Sequence, residues 1–345
     1  MSRFLRACRR EPVDRTPVWF MRQAGRSQPE YRALRERYSL LEICAHSDLV
    51  ADVTLRPVAQ LGVDAAILFA DITVPLLGIG VAFDLQDGTG PRIHSPLRVQ
   101  ADVDMLRPFE PEATIEALLD GIRLIRRSSP VPLIGFAGAP FTLASYLIEG
   151  GPSRDFLRTK ALMRTEPGLW DDLMERLTTM TTAYLTTQVA SGASAVQLFD
   201  SWVGCLSPAD YTMSVAPYVR RIFDAVRESG VPAIYFGTGT AGLLGEMAAA
   251  GGDVIGVDWR IALSAAWSWI GADRAIQGNL DPSVLLAPRD VVRRHAAAVL
   301  AQAAGRTGHI FNLGHGVLPD TPQEALRDLV QFVHSYRHQT AEVRA

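Results

Sequence analysis

Eight short apolar runs, several rich in β-branched residues, recur along the chain at 17–21, 65–70, 131–137, 195–199, 233–236, 254–257, 275–278 and 309–313. Longer stretches with helical periodicity separate them, at 30–38, 49–61, 115–126, 169–190, 208–228 and 291–304. A parallel strand covered on both faces reads as an unbroken hydrophobic run, because its crossover helices shield it from water. The alternation therefore predicts an α/β fold, and eight such strands without a topological break predict closure into a single (β/α)8 TIM-type barrel. The spacing is uneven. A hairpin-like insertion over 76–97, with a turn at Asp87-Gly88, follows the second strand, and a long helical stretch over 153–191 follows the third. No linker rich in Gly, Pro or Ser, no low-complexity tract and no internal repeat divides the chain, so one domain is expected over 1–345.

Composition narrows the function classes. Hydrophobic residues make up 48% and charged residues 21%, enough for a large core and against disorder. The formal net charge of −3 and the lack of a basic run beyond residues 6–10 argue against nucleic acid as a partner. Cys8, Cys44 and Cys205 are too few and too scattered for a disulfide framework and fit a reducing compartment. The charged N-terminus lacks the apolar stretch of a secretory signal. Segment 63–83 is apolar over a membrane-spanning length but carries Asp64, Asp71, Pro75, Gly78 and Gly80, so it reads as strand, loop and strand. A cytoplasmic protein with no membrane partner is expected.

In a (β/α)8 barrel the chemistry sits at the C-terminal ends of the strands, where loops are free to carry it. Those ends hold Arg22-Gln23-Ala24-Gly25-Arg26, Asp71, Gly138-Ala139-Pro140, Asp200-Ser201-Trp202, Gly237-Thr238-Gly239, Gly278-Asn279-Leu280-Asp281-Pro282 and Asn312-Leu313-Gly314-His315-Gly316. Arg22 and Arg26, four residues apart directly after an apolar strand, suit a clamp for carboxylates or phosphates. Asp71 ends an apolar run and is either a desolvated functional carboxylate or the cap of the next turn. Asp200 and Ser201 carry the same ambiguity. His315, between two glycines, is expected to face the cleft.

Two other chemistries compete. Gly237-Thr238-Gly239-Thr240-Ala241-Gly242 matches G-x-G-x-x-G after a strand, and Asp258 follows at a suitable distance, which raises a nucleotide-dependent oxidoreductase. The motif falls at the fifth strand of a regular series, however, and about 100 residues beyond it are few for a dinucleotide-binding half and a substrate domain. Metal is not expected. Cys44-Ala45-His46 is the sole close Cys/His pair and has no second pair to complete a site.

At these segments the chain resembles the uroporphyrinogen decarboxylase family, from about Arg10 to His334. The likeness is carried by Pro17-Val18-Trp19-Phe20-Met21-Arg22-Gln23-Ala24-Gly25-Arg26, by Asp71, by Gly135-Phe136-Ala137-Gly138-Ala139-Pro140-Phe141-Thr142-Leu143, and by Tyr146 with Glu149-Gly150-Gly151. Phe199-Asp200-Ser201, Gly278-Asn279-Leu280-Asp281-Pro282 and Phe311-Asn312-Leu313-Gly314-His315-Gly316 complete it. The resemblance implies conversion of uroporphyrinogen III to coproporphyrinogen III in haem biosynthesis, by a homodimer without cofactor or metal. It implies that Arg22, Arg26, Asp71, Tyr146, Ser201 and His315 form the substrate site, with Phe199 against the macrocycle and Asp71, Arg22, Tyr146 and His315 nearest the chemistry. Corrinoid-dependent methyltransferases share the superfamily but hold zinc through a His-x-Cys pair and a further Cys. At the fifth strand end this chain has Tyr235-Phe236-Gly237 instead.

The implied reaction explains the residue types. Direct loss of CO2 from an acetate arm leaves a carbanion on an electron-rich pyrrole. Protonating the ring first turns it into an electron sink, so the substrate acts as its own cofactor. The protein then supplies a buried anion, a proton donor and cations for the other carboxylates. Asp71 fits the first role and the two arginines the last. Arg22 and a relayed proton stand as alternatives for the donor.

Overall fold

The computed structural model describes residues 1–86 and 90–337. Seven strands form one parallel sheet in the order β1 (Ala66–Ile67), β4 (Leu133–Gly138), β5 (Ala195–Asp200), β6 (Ala233–Gly237), β7 (Val254–Gly256), β8 (Ala275–Leu280) and β9 (His309–Leu313). Each pairs with the next along the chain, and every residue of β4, β6, β8 and β9 is buried. Helices on the outside and side chains on the inside account for that, as the unbroken apolar runs require. Two further strands, β2 (Phe83–Gln86) and β3 (Gly90–Ile93), form an antiparallel hairpin, so the expected insertion is present. Its turn at Asp87-Gly88 lies outside the described residues.

The expected first strand differs. Segment 17–21 contributes one isolated bridge, Val18 to Phe311, rather than a strand. On that side Phe311 N–H donates to the Pro17 carbonyl at 2.8 Å. On the other side Asp64 N–H donates to the Val18 carbonyl at 2.8 Å, so the segment touches both β9 and the approach to β1. Side chains take most of the segment's own amides. Pro17 has no N–H, and the Val18, Phe20 and Met21 amides donate to Asp64 Oδ2, Gln23 Oε1 and Asn312 Oδ1.

Proline also explains where helices break. The stretch 208–228 divides into Pro208–Ser214 and Ala216–Glu228, with Val215 at φ −131° between them. Pro217 lacks an N–H and its ring clashes with the carbonyl four residues back. The stretch 153–191 divides at Glu166-Pro167 into Leu157–Thr165 and Pro167–Ser191.

Asp64 fastens the end of the sheet opposite the strand C-termini. Its oxygens accept from Arg3 at 2.7 Å, His334 at 2.7 Å and the Val18 amide at 2.8 Å. Burial alone raises its carboxyl pKa. The His334 hydrogen bond and charge, then Arg3 and the Val18 amide, outweigh burial and hold it below the ordinary range. A depressed carboxyl contributes stability above its unfolded value, near 3.9, and loses it as pH falls through the folded value. Asp64→Asn is therefore expected to lower stability by about 1–3 kcal/mol at pH 7, with a smaller deficit below pH 4. Denaturant midpoints of both proteins at pH 7 and pH 3.5 check this. An equal deficit at both pH values would contradict it.

Candidate active site

A cavity of about 440 Å3 opens at the C-terminal ends of the strands, and all seven residues expected there line it: Arg22, Arg26, Asp71, Tyr146, Phe199, Ser201 and His315. Arg22 is set by the irregular first segment. It adopts φ 60°, a left-handed conformation that costs a non-glycine residue about 1–2 kcal/mol. Neighbouring bonds hold it there. Met21 N–H donates to Asn312, the Met21 carbonyl accepts from Val317 N–H at 2.8 Å, and the Gln23 amide donates to the Ala65 carbonyl at 3.1 Å. The side chain lies flat along Gly316, where an added Cβ would stand 2.5 Å from Arg22 Cδ. Among the described residues, Arg22 and Arg26 enter no ion pair, which leaves both guanidiniums to the cavity.

Asp71 caps the next turn with one of its two oxygens. Oδ1 accepts from the Thr73 amide at 2.9 Å and its hydroxyl at 2.6 Å, a local Asx turn. Oδ2 has no hydrogen-bond partner among the described residues. One oxygen thus fixes the side chain and leaves the other as a half-buried acceptor in the cavity. Tyr146 is buried, and its hydroxyl pKa is pushed up to about 12 by burial, with smaller opposing effects from Trp202 and Arg22 and a reinforcing one from Asp71. It is a neutral donor at physiological pH. The Trp202 indole N–H sits at that hydroxyl without a hydrogen bond of normal geometry, and the two rings meet edge-on at 5.9 Å. Phe199 stands between Phe136 at 5.5 Å and Phe236 at 5.9 Å, forming an aromatic wall. Phe136 and Phe236 were not singled out by sequence. The signal was present in the neighbouring strand ends, since Phe236 pairs in register with Phe199.

His315 is partly buried. Burial, then the charges of Arg22 and Arg260, push its pKa down to about 4 against the opposing Asp258. The imidazole is neutral in the free protein at pH 7, so it offers one donor and one acceptor. An NMR titration of the His315 ring is expected to give a midpoint near 4, rising when a polyanion fills the cavity, because nearby carboxylates favour the imidazolium. A midpoint at the ordinary 6.5 would contradict this.

Two carboxylates considered from the sequence fall outside the cavity. Asp200 is fully buried behind Ser201, accepting from Thr142 at 2.8 Å and Tyr235 at 2.9 Å, with Tyr211 3.2 Å beyond. Burial pushes its carboxyl up to about 6 against those hydroxyls. Asp258, the candidate ribose ligand, is taken up internally. Its carboxylate accepts from the Gly239 amide at 2.6 Å and the Arg260 amide at 2.9 Å and pairs with the Arg260 guanidinium. The glycine loop 237–242 is therefore tied to its own fold by the residue a dinucleotide would need. Below the cavity, Trp19 donates to Gln277 at 3.0 Å, and Gln277 to Gln197 at 3.1 Å. This polar ladder, invisible as a pattern, keeps the sheet interior filled beneath the site. Among the described residues, no group of three or more His, Cys, Asp or Glu side chains is placed to hold a metal ion. Nor is any helix among them long and apolar enough to cross a membrane.

The fold and this cavity define a class: a parallel α/β enzyme with a strand-end site suited to an anionic ligand with a flat apolar face. The profile of the family described as Uroporphyrinogen decarboxylase (URO-D) matches residues 1–336. Uroporphyrinogen decarboxylase from Thermus thermophilus is 56% identical over 329 residues, 95% of this chain and 96% of that protein. The enzyme of that name from Streptomyces coelicolor is 56% identical over 334 residues, 97% and 94% of the two chains. Among solved structures, a methyltransferase from Methanosarcina mazei superposes with a TM-score of 0.81, covering 96% of this chain and 97% of that one at 20% identity. That likeness is one of fold. The chain belongs to the uroporphyrinogen decarboxylase family.

Proposed function

We propose that this chain removes CO2 from the four acetate arms of uroporphyrinogen III to give coproporphyrinogen III, without a cofactor. The family assignment supports the reaction, and the observation that carries the mechanism is the free Oδ2 of Asp71, exposed to a cavity that two unpaired arginines also line. In this reading Asp71 accepts the pyrrole N–H groups and stabilises the cation formed when the ring is protonated. Arg22 and Arg26 hold carboxylate arms, Tyr146, Ser201 and His315 complete their hydrogen bonds, and Phe199 lies against the macrocycle. The proton arrives from Arg22 or through a relay. A guanidinium is a poor acid in water, and neutral His315 and Tyr146 offer positions along such a relay.

We also read the fold as one domain forming a closed (β/α)8 barrel, with segment 17–21 as the eighth stave. Its contacts to β9 and to the approach to β1 support this. A cytoplasmic homodimer is the corresponding assembly and location.

Protein dialysed against a strong chelator and incubated anaerobically with uroporphyrinogen III should decarboxylate it at the undialysed rate, measured as porphyrins after oxidation and chromatography. Binding without turnover would make it a tetrapyrrole carrier. A loss of rate restored by zinc would revive the methyltransferase chemistry.

A further inference from the structure

Beside the cavity mouth runs an open groove of about 860 Å3, and the two share a wall formed by Arg26, Arg35 and Pro319. The groove's additional cation is Arg32, on the helix Pro29–Arg35, whose guanidinium donates to the Arg26 carbonyl at 2.8 Å. Arg32 is exposed and, among the described residues, enters no ion pair. It thus differs from arginines that a carboxylate does match, as Asp210 matches Arg164 at 2.8 Å and Asp328 matches Arg293 at 2.5 Å. Glu36 and Asp320 also line the groove, but neither lines the cavity, and among the described residues neither forms an ion pair with Arg26 or Arg32. Arg22, Arg26 and Arg32 thus carry unmatched positive charge from the cavity out into the groove. Such a run concentrates a polyanion at the mouth.

The reaction gives that run a task. One site serves four acetates, so between rounds the macrocycle must turn to bring another acetate arm to the reacting position. A ligand that lost every contact at each turn would leave as a partly decarboxylated intermediate. We propose that the groove is a second carboxylate site, centred on Arg32, which holds arms of the tetrapyrrole while the ring is turned between rounds. This rests on the decarboxylase reading above. The site takes aliphatic carboxylates on a flexible macrocycle, and its contacts are exposed and weak enough to release them.

The test is the ratio of free seven-, six- and five-carboxylate intermediates to final product at equal substrate consumption, under anaerobic conditions with substrate in excess. A uniform loss of activity does not move this ratio. Exposed ion pairs are weak, so Arg32→Ala should raise the ratio about two- to fivefold and Arg32→Glu further. Arg32→Lys, which keeps the charge, should stay near the unsubstituted protein. An unchanged ratio in the Ala and Glu variants would overturn the proposal. So would Lys matching Ala, since the hydrogen bond to Arg26 would then be what matters. If the unsubstituted chain consumes no substrate, the decarboxylase reading itself fails, an outcome distinct from an unchanged ratio.

Discussion

Replacing Asp71 by Asn is expected to lower turnover by about 10²–10³ or more while leaving the thermal midpoint almost unchanged. The two effects separate because the two carboxylate oxygens have separate tasks. Asn can keep its oxygen toward Thr73, where Oδ1 now accepts from amide and hydroxyl, so the turn survives. Its NH2 then stands where Oδ2 faces the cavity, presenting a donor to pyrrole N–H groups that are themselves donors. Loss of one transition-state contact of this kind costs about 10²–10³ in rate. Asp71→Glu is expected to be poor as well, since an added methylene misplaces the carboxylate by about 1 Å. Decarboxylation rate and thermal midpoint, measured on the same Asn variant, check the account. Near-normal turnover would reduce Asp71 to a turn cap.

Arg22→Ala and Arg26→Ala are each expected to reduce kcat/KM by about ten- to a hundredfold, since a charge-assisted carboxylate contact is worth about 1.5–3 kcal/mol. Lys at either position should recover only part of the loss, because it offers no planar fork. The Arg22 substitution has a second readout. Its left-handed backbone is imposed by Asn312, Val317 and Gln23 rather than by its own guanidinium, so Ala inherits the same strain and stability should hold. Arg22→Gly relieves the strain and should be equally inactive yet slightly more stable. Steady-state kinetics with denaturant midpoints on the three Arg22 variants check this. Normal kinetics in both Ala variants would remove the arginines from the site.

Most of this site was legible in the sequence because it lies at strand ends. An apolar run that stops at Asp71 or at Asp200-Ser201 marks a rim wherever the strand itself is buried. What stayed hidden was the side-chain traffic. Segment 17–21 has a strand's composition, but its amides find acceptors on the nearby Gln23 and on Asp64 and Asn312, two distant residues that no local pattern announces. The choice between cap and functional carboxylate at Asp71 was undecidable from spacing, since the oxygen that caps Thr73 leaves the other to the cavity. At Asp200 the same spacing conceals a carboxylate turned inward to Thr142 and Tyr235. The glycine loop misled for a related reason: its apparent partner Asp258 is bound to Gly239 and Arg260. Proline marks the breaks at Pro167 and Pro217 that periodicity missed, although Pro57 lies inside the unbroken helix Ser47–Leu61.

If the mechanism is right, the macrocycle rests with its pyrrole N–H groups on the outer oxygen of Asp71 and its carboxylate arms on Arg22 and Arg26. A crystal structure of the protein with coproporphyrinogen III, grown and frozen anaerobically, measures this directly. Pyrrole nitrogens are expected within about 2.7–3.2 Å of Asp71 Oδ2, with a ring face against Phe199 and carboxylates at both guanidiniums. A macrocycle bound in the cavity with its N–H groups turned away from Asp71 would contradict it.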